Sequence, residues 1–118
     1  MEPRQPNDEH RVAPRYRLSI PALYTSNAFT GTGLVHDMST SGALIGNTES
    51  VPTRGARLQI RLLALRTVLR LDCPDSLNLD AAVVRRTDTD FAVCFVGDTH
   101  ELTRILDRVG ARGAKANQ

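Results

Sequence analysis

Two short segments concentrate the residue types that could recognise a ligand: Arg11-Val-Ala-Pro-Arg15 and Asp37-Met-Ser39-Thr-Ser-Gly42. Together they supply planar cations, a carboxylate, a hydroxyl and a glycine backbone, the groups needed to hold a guanine-bearing phosphodiester. A guanidinium forks onto phosphate or onto guanine O6 and N7 and stacks on a base plane, whereas an ammonium offers only a point charge. The chain has a single Lys, Lys115 in its tail, so nearly all its cations are of the first kind. If the second segment is extended, Asp37 and Ser39 lie two apart and point to the same side. Gly42 either lets backbone approach closely or supports a turn with positive φ, and a side chain there should obstruct.

Spacing of the Arg pair alone decides nothing, because R-x-x-x-R recurs at Arg57/Arg61, Arg66/Arg70, Arg104/Arg108 and Arg108/Arg112. The acid-x-Ser-x-x-Gly segment occurs once, and one apolar strand-like run, Leu18 to Tyr24, separates it from the first Arg pair. In that order and separation the chain resembles the PilZ domain family, bacterial receptors for the second messenger cyclic di-GMP, from about Glu9 to about Val109.

The elements that must position these residues read mostly as strands. Leu58, Ile60 and Leu62 alternate with Arg57, Gln59 and Arg61, the period of a half-buried strand. Thr67, Leu69, Leu71 and Cys73 repeat it, as do Leu77, Leu79, Ala81 and Val83, then Phe91, Val93 and Phe95. Breakers fall between them at Pro52 and Gly55, Pro74-Asp75-Ser76 and Thr87-Asp88-Thr89-Asp90. Many short strands punctuated by turns predict a sandwich or barrel, and a barrel disposes of exposed edges. The period then changes: Leu102, Ile105, Leu106 and Val109 form one stripe of a helix, with Asp98 and Glu101 as a capping-box start and Gly110 as a stop. The domain boundaries follow: a mobile arm over 1–10, a barrel with its helix over 11–109, and a frayed tail over 110–118.

Composition bounds the rest. A length of 118 residues, 41% of them hydrophobic, suits one modest core. With 15 basic against 13 acidic residues the net charge is only +2, so no general field for duplex nucleic acid or an anionic membrane is present. No apolar stretch could span a bilayer and the N-terminus lacks a signal-peptide core, which places the chain in the cytoplasm as an expectation. Cys73 and Cys94 lack C-x-x-C spacing and read as core thiols. His10, His36 and His100 are scattered, so no metal site is expected. His36, Asp37 and Ser39 have the composition of a hydrolytic triad, but strand neighbours project to opposite faces, which separates His36 from Asp37. No nucleophile elbow, P-loop or paired-acid set is present, and no enzyme is expected.

The resemblance implies a six-stranded antiparallel barrel with a C-terminal helix, and cyclic di-GMP as ligand, with no other cofactor. It also implies roles. Arg11 and Arg15 engage guanine and phosphate from an arm that orders on binding, Asp37 accepts from guanine N1 and N2, and Ser39 offers its hydroxyl to a phosphate or the second base. Arg17, Arg85 and Arg86 read as surface residues, one of which could add a phosphate contact. Many members carry a further Arg where this chain has His10, which bears on whether one ligand or a stacked pair is held. The expected unit is a monomer or weak dimer that signals through a downstream protein. Two rivals compete with this reading. A degenerate member acting only as a protein adaptor would have lost one of the motifs, and neither is lost. A barrel for single-stranded nucleic acid needs exposed stacking aromatics, yet the few aromatics here, two Tyr and three Phe, fall mostly in apolar alternation.

Overall fold

A computed structural model of the chain describes residues 14–27 and 29–116. The arm assigned to 1–10, and Arg11 with it, lies outside the described residues. Six strands follow in order: β1 Tyr16–Thr25, β2 Thr30–Met38, β3 Gly42–Gly46, β4 Arg57–Leu62, β5 Leu77–Arg86 and β6 Phe91–Val96. A short helix α1, Leu65–Leu69, sits between β4 and β5, and α2, His100–Ala116, closes the chain. The strands pair antiparallel in the cyclic order β1-β2-β3-β6-β5-β4, a closed barrel in which no strand edge is left unpaired.

Alternation does the building. In β4, Leu58, Ile60 and Leu62 are buried while Arg57, Gln59 and Arg61 are exposed, as their period predicts. β5 buries Leu79, Ala81 and Val83 in the same way. Tyr24 is the largest fully buried side chain, its ring edge-on to Phe91 at 5.0 Å, and its hydroxyl donates to the Ser50 carbonyl at 2.7 Å. A buried tyrosine needs such a partner, because an unpaired hydroxyl in the core costs about 1–3 kcal/mol.

The helix α2 sinks Leu102, Ile105 and Leu106 into this core, and burial of each contributes roughly 1.5–3 kcal/mol. Its start is held by Asp98, whose carboxylate accepts from the His100 N–H at 2.8 Å. Arg108 donates to the Asp72 carbonyl at 2.7 Å and Arg112 to the Arg70 carbonyl, tying α2 to the segment after α1.

Two expectations fail here. The segment Thr67 to Cys73 is not a strand: its buried residues are Leu69 and Cys73, and with Leu65 just before it they recur every four positions rather than every two. Backbone at Ala64 and Arg70 takes left-handed φ of 55° and 57° at either end, and Asp75 accepts the Arg66 N–H at 3.1 Å, which favours one helical turn over extension. The stop at Gly110 is also absent, since α2 runs on to Ala116 and makes 110–116 helical rather than frayed. Glycine disfavours a helix interior by only about 1 kcal/mol. Here a side chain at Gly110 would collide with the Tyr16 hydroxyl at the root of β1. The glycine therefore serves close packing.

Candidate ligand-binding site

Paired irregularities in β1 and β2 shape the outer wall. Between the partners Arg17↔Asp37 and Ile20↔Val35, β1 carries one residue more than β2. Between Val35↔Ile45 and Asp37↔Leu44, β2 in turn carries one more than β3. Such bulges re-aim side chains. Val35 and Met38 are consequently both buried although three positions apart, and the two residues between them, His36 and Asp37, are both left on the outside. The separation of His36 from Asp37 expected from simple alternation is thus overturned, and both line one groove with Arg17, Leu18, Ser19 and Leu44. The groove is open and encloses about 440 Å³.

Arg15 precedes β1 and reaches Asp37 across 22 residues of sequence, its Nε 3.4 Å from Oδ1 and 3.3 Å from Oδ2. Side-chain exposures of 62% for Arg15 and 29% for Asp37 make this a solvated pair, worth about 0–1 kcal/mol. It is readily exchanged for another partner. Asp37 makes no hydrogen bond to His36 among the described residues, so the two share a groove without forming a proton relay.

Ser39 and Gly42 stand apart from that pair. β2 ends at Met38, so the extended geometry that would align Ser39 with Asp37 stops one residue short. Ser39 is instead 5% exposed in the β2–β3 turn, where its N–H donates to the Gly42 carbonyl at 2.9 Å. Its hydroxyl lies 3.0 Å from that of Ser41 and accepts the Ser41 N–H at 3.1 Å. Gly42 opens β3 opposite Cys94, and a Cβ there would run into the Val93 carbonyl of β6. The close approach left open by the sequence is therefore made by a neighbouring strand.

His36 is a groove residue that sequence reasoning did not place, and Arg17, read there as a surface residue able to add a phosphate contact, lines the same groove. The His36 ring covers Gly46 on β3: a Cβ at Gly46 would stand within 2.8 Å of both that ring and an Asp90 carboxylate oxygen. Nothing local marks His36, because only the bulge turns it outward. Arg17 carried a signal, its place two residues beyond Arg15 on the same side of an extended chain. Among the described residues no group of three or more His, Cys, Asp or Glu is gathered to hold a metal ion, and no helix is long and apolar enough to cross a membrane.

The described residues thus form a closed antiparallel barrel with an ion pair and an open polar groove on its wall. The PilZ domain profile matches residues 9–109, and the chain belongs to the PilZ domain family, whose members are in general cyclic di-GMP receptors and adaptors rather than enzymes. Solved structures agree on the fold. The PilZ domain of CeSA from a cellulose-synthesizing bacterium superposes with TM-score 0.60 at 19% identity, covering 85% of this chain and 98% of that one. The Bacillus subtilis inhibitor of motility MotI/DgrA superposes with TM-score 0.70 at 10% identity, over 100% of this chain but 55% of its own length. An uncharacterized Legionella protein gives 0.54 at 14% identity, over 85% and 97%. No curated protein matches the chain.

Proposed function

We propose that this protein binds cyclic di-GMP on the outer wall formed by β1, β2 and β3, and passes the bound state to a downstream protein. The observation that carries the reading is the Arg15–Asp37 pair: two motifs 22 residues apart in sequence meet at the wall of the open groove. In the free chain each of these groups occupies the other. A guanine presents donors at N1 and N2 and acceptors at O6 and N7, so it satisfies the carboxylate and the guanidinium separately. Exchanging a solvated pair for two charge-assisted contacts favours the complex, since such contacts contribute about 1.5–3 kcal/mol each and the pair they replace about 0–1. Arg11, four residues before Arg15, supplies a second guanidinium from the arm, and ordering of that arm creates a composite surface for a partner. Ser39 and Gly42 serve by fixing the turn that follows Asp37.

Calorimetric titration of the chain with cyclic di-GMP, with GTP and a short RNA as controls, tests the reading. Saturable binding of the cyclic dinucleotide alone is expected. Loss of Arg15 as Arg15→Ala should weaken it by roughly tenfold to a hundredfold. Equal heats for RNA and the dinucleotide, or none for either, would sink the proposal.

A further inference from the structure

The groove holds a cation that the two motifs do not include. Arg17 lies opposite Asp37 in the β1–β2 ladder, is exposed, and lines the same groove as Asp37 and His36. Some arginines are engaged, Arg61 with Asn78, Arg66 with Asp75, Arg108 and Arg112 with carbonyls, whereas Arg17, like Arg57, Arg85 and Arg86, is not; what distinguishes Arg17 is its place in the groove. Arg17 forms no hydrogen bond or ion pair among the described residues, although the Asp37 carboxylate is on the neighbouring strand. The Asp37 carboxylate is paired instead with Arg15.

Charge arithmetic gives that free guanidinium a purpose. A cyclic guanine dinucleotide carries two phosphodiester charges. Of the charged side chains that line the groove itself, Asp37 is paired with Arg15 and Arg17 is the cation left unpaired, while the Asp90 carboxylate stands behind the His36 ring. Its flat fork matches a phosphodiester, and its position on a paired strand holds it beside the groove. The apolar edge of the groove, Leu18 and Leu44, offers surface for a base or ribose beside it.

We propose that Arg17 is a further ligand-holding residue of this site, gripping a phosphodiester from the strand while Arg15 and Asp37 part to take a guanine. This assignment rests on the cyclic di-GMP reading above. It concerns phosphate rather than base, so it sets affinity and salt sensitivity more than discrimination between bases.

The test is calorimetric titration with cyclic di-GMP of the wild-type chain, Arg17→Ala, Arg17→Lys, Arg17→Gln and, as a control for net charge, Arg61→Ala, each at low and high salt. Arg17→Ala should bind about tenfold or more weakly, with a flatter salt dependence, and Arg17→Lys should recover part of the loss because it retains the point charge. Arg17→Gln, which keeps a polar stem on the strand, should behave as Arg17→Ala and serves if that variant does not fold. Wild-type affinity in Arg17→Ala or Arg17→Gln, or an equal loss in Arg61→Ala, overturns the role of Arg17 and leaves the receptor reading intact. No binding by the wild type overturns that reading and this one with it.

Discussion

In the free chain Asp37 is occupied by Arg15, and that single contact sets what each can be expected to do. Its worth to the fold is small because both groups are wet, so its worth to function can be read separately. Replacing Asp37 by Ala should leave the unfolding free energy from urea titration within about 0.5 kcal/mol of wild type, since a surface change away from core contacts rarely exceeds that. The same variant should lose preference for cyclic di-GMP over cyclic di-AMP, because the proposed complex uses the carboxylate as acceptor for guanine's N1 and N2 donors. Unchanged discrimination in competition calorimetry would remove Asp37 from the base-reading role. Residue identities of this kind were open to view in the sequence, where Arg15 and Asp37 stood out by type and order. The engagement of the Ser39 hydroxyl with Ser41 was not, because it depends on where β2 ends.

Elements respond differently according to what lies against them. At Gly42 a methyl group would meet the Val93 carbonyl, part of a paired backbone that cannot swing aside. At Gly46 it would meet the ends of two side chains, His36 and Asp90, which can. Gly42→Ala should therefore destabilise the barrel by about 1–3 kcal/mol, the range for forced overpacking, and Gly46→Ala by less, as measured by chemical denaturation. A reversed order would mean that the closure of β3 on β6 is looser than the packing of His36. The strands β4 and β5 were plain from alternation, and α2 from its stripe. By contrast α1 was hidden, since Thr67, Leu69, Leu71 and Cys73 satisfy period two while Leu65, Leu69 and Cys73 satisfy period four, and only packing chooses between them.

The molecule as a whole should show its buried acids in its stability at high pH. Burial holds the Tyr24 phenol above its ordinary value of 10.0, against a smaller opposing effect of its hydrogen bond with Thr48. Burial likewise raises the Cys73 thiol above 9.0, with Arg108 and Arg66 pulling the other way more weakly. Both groups are neutral when protonated, and raised values mean the fold favours that form. Their contribution is complete below the ordinary values and is lost as pH climbs through the folded ones. Unfolding free energy from urea titrations should accordingly fall from about pH 9 upward, and Tyr24→Phe should flatten the upper part of that fall. A stability flat to pH 11 would contradict the burial of these two groups. Local order in the chain sufficed to specify which residue types could carry chemistry, which faces of β4, β5 and α2 turn inward, and that many short strands must close on one core, because periodicity and residue type are properties of neighbours in sequence. Tertiary pairing alone decided that His36 and Asp37 share a groove, that Arg17 joins them, and that Gly42 yields to β6. Those outcomes hang on the register between strands remote in sequence, where a single extra residue re-aims a side chain and nothing in the local pattern records it.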